Sequence, residues 1–299
     1  MKKIEDYEAI KKFPVLEGYL HHFSQTSINN EIPGLLSFFF IQGQLLLPYV
    51  RIPTGDNHLD PRVHVFWIQP SRTGKSIAWN FVSDIMDEIG VVYESFASGT
   101  DAGLIGSNKP VLDEFNKPTG DTEIVPGLLA GQKAINFDEG SILLTPNKHS
   151  QETVLYLQTA CNSVGSGINT SELYDKSKVS LWITTYPPSG VKEYVLTKGI
   201  FQRVLLYWKQ WDMDMRQEVS NTRLGTFFQR PDDNEVSKDD ICEYFKTTEK
   251  RVRDRLINLA DIQGSNEWGD MSDDDKEDII EGMLDNLQAV ESQFDMYKD

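Results

Sequence analysis

Ile68-Gln69-Pro70-Ser71-Arg72-Thr73-Gly74-Lys75-Ser76 is the stretch on which the reading of this 299-residue chain turns. An apolar run, Val63-His64-Val65-Phe66-Trp67, leads into it, and Ile77-Ala78-Trp79-Asn80-Phe81-Val82 leaves it with helical patterning. Strand, tight loop, Gly-Lys-Ser and helix together make a P-loop, in which backbone N–H groups and a helix N-terminus cradle phosphate. Gln69, Pro70, Ser71, Arg72, Thr73, Gly74, Lys75 and Ser76 are therefore the expected nucleotide-binding residues. Lys75 would contact the β- and γ-phosphates, and the Ser76 hydroxyl would ligate magnesium. Gln69 stands where the usual pattern has its first glycine.

Downstream, Lys133-Ala134-Ile135-Asn136-Phe137-Asp138-Glu139 reads as a short apolar strand ending in two acids. Buried carboxylates at the end of a core strand are costly without a metal or partner. About sixty residues after the Gly-Lys-Ser they match the acids that serve ATP hydrolysis, Asp138 on the metal side and Glu139 polarising the attacking water. Val179-Ser180-Leu181-Trp182-Ile183 is a further strand, ending in Thr184-Thr185. Thr185 is the first choice for a γ-phosphate sensor there and Thr184 the second. Arg203, isolated among apolar residues of Gly199 to Trp208, suits an arginine finger that reaches a neighbouring subunit's γ-phosphate.

Composition is that of a globular chain with material for a large core. The formal charge of −17 argues against a whole-surface grip on nucleic acid, but a local basic loop is compatible with it. Roughly three quarters of that charge falls after Arg230. Two distant cysteines, Cys161 and Cys242, give no disulfide framework and suit a reducing, cytoplasmic compartment. The N-terminus is not a signal peptide. Gly34 to Val50 is apolar but broken by Gln42-Gly43-Gln44, so it predicts a buried helix and no membrane association.

In order, the patterning predicts helices over 13–23 and 32–47, with Pro33-Gly34 as punctuation between them. Leu47 to Ile52 predicts a short strand and 53–57 a turn. The helix after the Gly-Lys-Ser should stop at Gly90, and Val91 to Phe96 should be a strand. Residues 98–105 predict a capped turn entering a short helix, and 107–131 an insertion loop or irregular hairpin. Residues 151–163 predict a helix, and 164–169 with 173–178 a hairpin. A mixed-charge helix is predicted over 241–262, its cationic stripe (Lys246, Lys250, Arg251, Arg253, Arg255) belonging either to a lid at the nucleotide or to a solvated face. Residues 270–299 predict an acidic, amphipathic helix pair or docking segment.

The succession P-loop, Phe137-Asp138-Glu139, polar-ended strand, Gly199 to Tyr207 resembles the AAA+ ATPase core, over roughly residues 30–210. By pattern it is similar to helicase-like replication ATPases of phages and mobile elements, and MCM-type helicases share the motif order. The resemblance implies an α/β fold with a parallel sheet flanked by helices. Patterning and composition divide the chain into a helical N-terminal segment (1–46), a core (47–230) and an acidic helical C-terminal region (231–299), the acidic tail departing from the family pattern. The resemblance implies ATP and Mg²⁺ as cofactors, Ser76 and Asp138 at the metal, and Lys75, Glu139, Thr185 and Arg203 in catalysis. It further implies a ring-shaped homo-oligomer, hexameric by expectation, acting on single- or double-stranded DNA. Lys176 and Lys178 fall where related helicases place a DNA-gripping hairpin. A DNA-packaging motor, a protein remodeller or loader, and a nucleotide-gated binding protein are the competing readings. The acidic tail suits a basic protein partner.

Overall fold

The computed structural model describes residues 10, 12–26, 31–50, 52–54, 57–96, 101–112, 114–144, 151–161, 177–189, 200–210 and 236–264. Two helices, α1 (Pro14–Ser24) and α2 (Glu31–Leu46), precede a small antiparallel pair, β1 (Ile52–Thr54) and β2 (Asn57–Leu59). Then follow β3 (Val65–Ile68), α3 (Lys75–Ile89), β4 (Tyr93–Phe96) and a short α4 (Asp101–Ile105). An antiparallel hairpin, β5 (Gly106–Leu112) and β6 (Pro118–Pro126), leads to β7 (Gln132–Phe137), α5 (Ser141–Leu144) and α6 (Gln151–Ala160). The remaining described elements are β8 (Lys178–Thr185), a 3₁₀ turn (Ile200–Gln202), β9 (Leu205–Trp208) and α7 (Lys238–Gly264).

Five strands form one parallel sheet in the order β4-β7-β8-β3-β9. A parallel sheet covered on both faces reads as near-continuous apolar sequence. That is the character of β3, buried at all four positions, and of β8, buried from Val179 to Thr185. Alternate residues serve opposite cores. Val65, Trp67 and Trp182 join α1, α2, α3 and α7 on one face; Phe66, Ile68, Leu181 and Ile183 join α4, α5 and α6 on the other. The fold is thus α/β, with a parallel sheet flanked by helices.

Helix α3 buries Ala78, Trp79, Val82, Ile85 and Met86, one apolar stripe at helical spacing. It stops at Gly90, as the sequence predicts: Val91 N–H donates to Met86 O (2.9 Å) and Gly90 N–H to Asp87 O (3.2 Å), a Schellman closure. Gln44, one of the polar residues that interrupt the apolar run of α2, accepts a buried hydrogen bond from Ser180 Oγ of β8 (2.6 Å). That bond lets a polar residue sit in the core at little cost. No described helix is long and apolar enough to cross a membrane.

Several boundaries differ from expectation. Pro33 and Gly34 lie inside the first turn of α2, where proline's missing N–H has no helical acceptor to lose. Leu47 to Tyr49 is not strand. Tyr49 and Val50 N–H groups both bond to Leu46 O, prolonging the helix end, and extended pairing begins only at Ile52. The 107–131 stretch, by contrast, holds the irregular hairpin that is one of its two expected forms, with a register shift between Pro110 and Leu112, near a proline that lacks the donor the ladder needs. Helix α7 starts earlier, at Lys238, since Ser237 and Asp240 cap it reciprocally (Asp240 N–H to Ser237 Oγ, 3.1 Å; Ser237 N–H to Asp240 Oδ2, 3.0 Å). The expected hairpin over 164–178 lies outside the described residues up to residue 176, as does the acidic segment 270–299.

At the amino end of β3, Arg62 is held by Asp60 (2.8 Å) and donates to Ala160 O (3.0 Å) and Val179 O (2.8 Å). Burial alone would raise the Asp60 pKa, but its hydrogen bonds and charge contact with Arg62 hold it below the ordinary carboxylate value. Next to this pair, His64 Nδ1 accepts Leu181 N–H (3.2 Å) and is fully enclosed. Burial, reinforced by the Arg62 charge, pushes the His64 pKa down to about 3. The sign follows. Below the ordinary histidine value the unfolded chain takes up a proton that folded His64 refuses, so stability falls as pH drops. Between pH 6.5 and 5 the loss should be about 2 kcal/mol, read from urea unfolding midpoints, and His64→Asn should flatten that slope.

Candidate functional site

The chain leaves β3 for the far edge of the sheet at β4, then returns through β7 and β8, and β9 takes the other flank of β3. The carboxyl end of β3 is therefore a topological switch point, the place where open α/β sheets hold ligands. The Gln69–Gly74 loop occupies it. Gly74 has φ 92°, a left-handed conformation that only glycine adopts without strain, and it turns the chain into α3. Ala78 N–H donates to Gly74 O (2.8 Å), closing the first helical turn.

Gln69 shows why a glycine is dispensable at the loop's first position. Its φ is not positive, unlike that of Arg72 (67°) at the exposed tip. Its N–H donates to Thr185 O (3.0 Å), and its buried Oε1 accepts the indole N–H of Trp67 (2.5 Å). Thr73, also buried, donates to Pro70 O (2.8 Å), while Ser71 and Arg72 face solvent. The Trp67–Gln69 bond was hidden in the sequence because it joins a strand residue to the loop residue two positions on, which share a face only once the strand's end is known.

Lys75 leans back over the loop. Its ammonium donates to Gln69 O (2.7 Å) and Pro70 O (3.0 Å). Burial pushes its pKa down to about 8, although the charges of Asp138 and Glu139 act in the opposite direction. Ser76 Oγ donates to Asp138 Oδ1 (3.2 Å) across 62 positions of sequence. Thr185 Oγ1 donates to Glu139 Oε1 (3.1 Å), and Thr184 Oγ1 lies within reach of Asp138 O (3.1 Å) and Oδ1 (3.3 Å). Lys75, Ser76, Asp138, Glu139, Thr184 and Thr185 thus meet at the carboxyl ends of β3, β7 and β8.

No protein-family model matches the chain, and no curated protein is detectably similar to it. The site must therefore be read from its own chemistry. Asp138, Glu139 and Ser76 are exposed, so the acid pair and the hydroxyl face solvent, and both acids act on the charge of Lys75. Gly140 secures the turn. Its N–H donates to Thr184 O (2.8 Å), and a Cβ there would fall 2.4 Å from Ile183 Cγ2, so a larger residue would have to displace that buried side chain. The glycine directly after the acid pair was the sequence signal for this close approach.

Among the described residues no group of three or more His, Cys, Asp and Glu stands ready to hold a metal alone. Ser76 and Asp138 nevertheless make a suitable donor set for magnesium, which keeps several waters and takes one or two protein oxygens plus phosphates.

Other expected residues lie elsewhere. Arg203 follows the 3₁₀ turn, two positions before Leu205, which pairs with Val65 at the first residue of β3. That is the amino end of the sheet, roughly 15 Å of strand away from the Gln69–Ser76 loop. It also lies close enough to Cys161 and Arg62 for both arginines to act on the buried thiol, whose pKa burial raises to about 12. Lys178 likewise opens β8 at the amino end, its N–H bonded to Gly131 O (3.0 Å). Lys176 lies outside the described residues. Of the cationic stripe, Lys246 bonds Glu88 near the far end of α3 (2.9 Å), and Arg253 pairs with Glu249 (3.4 Å). Both side chains are exposed, so these two positions lie on the solvated face of α7.

Proposed function

We propose that the chain is a magnesium-dependent ATPase of the AAA+ type. The observation that carries this reading is the convergence of Lys75, Ser76, Asp138, Glu139 and Thr185 at the carboxyl end of the sheet from three separate parts of the sequence. The sheet order supports it. Numbered along the chain, the parallel strands run 5-1-4-3-2, an order that AAA+ cores also use.

In this reading the loop N–H groups and Lys75 bind the β- and γ-phosphates; Lys75 exchanges two loop carbonyls for phosphate oxygens. Ser76 and Asp138 would hold a magnesium ion together with the nucleotide's phosphates, and the ion would supply charge neutralisation there. Glu139 takes the proton of a water whose oxygen attacks the γ-phosphorus in line; the bond to the β–γ bridging oxygen breaks, and ADP and phosphate leave. Thr185 orients Glu139. Arg203, at the opposite end of the sheet, serves only across a subunit boundary, which requires an oligomer such as a hexameric ring.

The work we assign to hydrolysis is helicase or translocase action on DNA in phage or mobile-element replication. This assignment draws on the motif order, with Lys176 and Lys178 as the DNA-facing candidates. The test is ATP hydrolysis with and without single-stranded DNA. Stimulation of about tenfold or more is expected. Hydrolysis indifferent to DNA would overturn the translocase assignment and favour a protein remodeller.

A further inference from the structure

We infer that Thr184 is a positioning residue, which fixes the orientation of the Asp138 carboxylate that would hold a magnesium ion; the inference rests on the ATPase reading above. Thr184 is 1 % exposed, so its own hydroxyl cannot reach a solvent-borne metal or a phosphate. It lies behind the acid. One hydroxyl proton is shared between Asp138 O (3.1 Å) and Oδ1 (3.3 Å), and Thr184 O takes the N–H of Gly140 (2.8 Å). The Asp138–Gly140 turn is thereby tied to β8 by main chain and side chain of the same residue.

Two hydroxyls reach Asp138 Oδ1, those of Ser76 and Thr184. They differ in what binding does to them. Ser76 is exposed, and its oxygen would be the one to ligate a magnesium ion, so its donation to Asp138 would be given up on binding. The Thr184 bond is on the buried side and survives. Outer partners of this kind fix the orientation of a metal's carboxylate, and their loss weakens metal affinity by roughly 10–100-fold. Thr185 next to it acts on the other acid, Glu139. The paired threonines of β8 therefore divide the work: Thr184 serves the metal side and Thr185 the water side.

The substitution that isolates this role is Thr184→Val. Valine has nearly the same shape, suits a strand, and keeps the Gly140–Thr184 main-chain bond. The readout is binding of a fluorescent ADP analogue, first in EDTA and then across a Mg²⁺ series. Thr184→Val should leave metal-free affinity within about twofold. It should raise the Mg²⁺ concentration for half-maximal enhancement about tenfold, and Thr184→Ser, which retains the hydroxyl, should restore it. A wild-type Mg²⁺ response in Thr184→Val overturns the inference and leaves the ATPase reading standing. Absence of any analogue binding by the wild type, with or without Mg²⁺, overturns both. Should the valine variant fold poorly, as judged by its melting curve, Thr184→Ala is titrated in its place, with the same outcomes deciding.

Discussion

Lys75→Ala will lower ATP affinity by about 100-fold or more and bring hydrolysis below detection. The ammonium is partly withdrawn from water and rests on two loop carbonyls, Gln69 O and Pro70 O. These contacts place a cation where the phosphates of a bound nucleotide would collect. Removing one member of such a desolvated, hydrogen-bonded charge pair typically costs 2–5 kcal/mol, largely because the other charge is left without compensation. The same substitution should not reduce thermal stability. Burial lowers the Lys75 pKa to about 8, meaning that the fold disfavours the charged form, so its removal relieves the free protein. Loss of function without loss of stability is the mark of a binding residue whose environment was shaped against stability. Calorimetric titration with ATP and a melting curve, run on the same preparation, check the two halves.

Glu139→Gln separates binding from chemistry. Its carboxylate accepts the Thr185 hydroxyl (3.1 Å) and faces solvent. An amide oxygen can accept the same bond, so the turn and the loop should keep their shape. What disappears is the ability to take a proton from water, a contribution of roughly 10²–10⁴ in rate. ATP affinity is expected to remain within about threefold while single-turnover hydrolysis falls by at least 10²-fold. If affinity collapsed along with the rate, Glu139 would be a structural support of the loop and not a base.

The fold class was legible because parallel strands buried on both faces leave uninterrupted apolar runs, as at Val63 to Ile68 and Val179 to Ile183. The central site was legible for a related reason. Gly74-Lys75-Ser76 and Asp138-Glu139 each follow a strand's carboxyl end, and the strand order places those ends on either side of β8. Three things could not be read in advance. Gln69 looked like a defect in the loop, yet its neighbour in space, Trp67, turns it into a buried fastening. Thr184 and Thr185 differ by one residue, and strand alternation alone decides which acid each one meets. Arg203 is close to the other motifs in sequence order but at the opposite end of the sheet, because β9 enters from the amino side. Periodicity gives an element's type. It does not give the end of a strand at which a flanking residue comes to rest.

The central claim is that the residues meeting at the carboxyl ends of β3, β7 and β8 hydrolyse ATP. Its most direct test is phosphate release from ATP with Mg²⁺ by the purified wild-type chain, with Glu139→Gln purified in parallel to register any contaminating activity. The account predicts release by the wild type at least 10²-fold above the variant. Equal rates in the two preparations would contradict it.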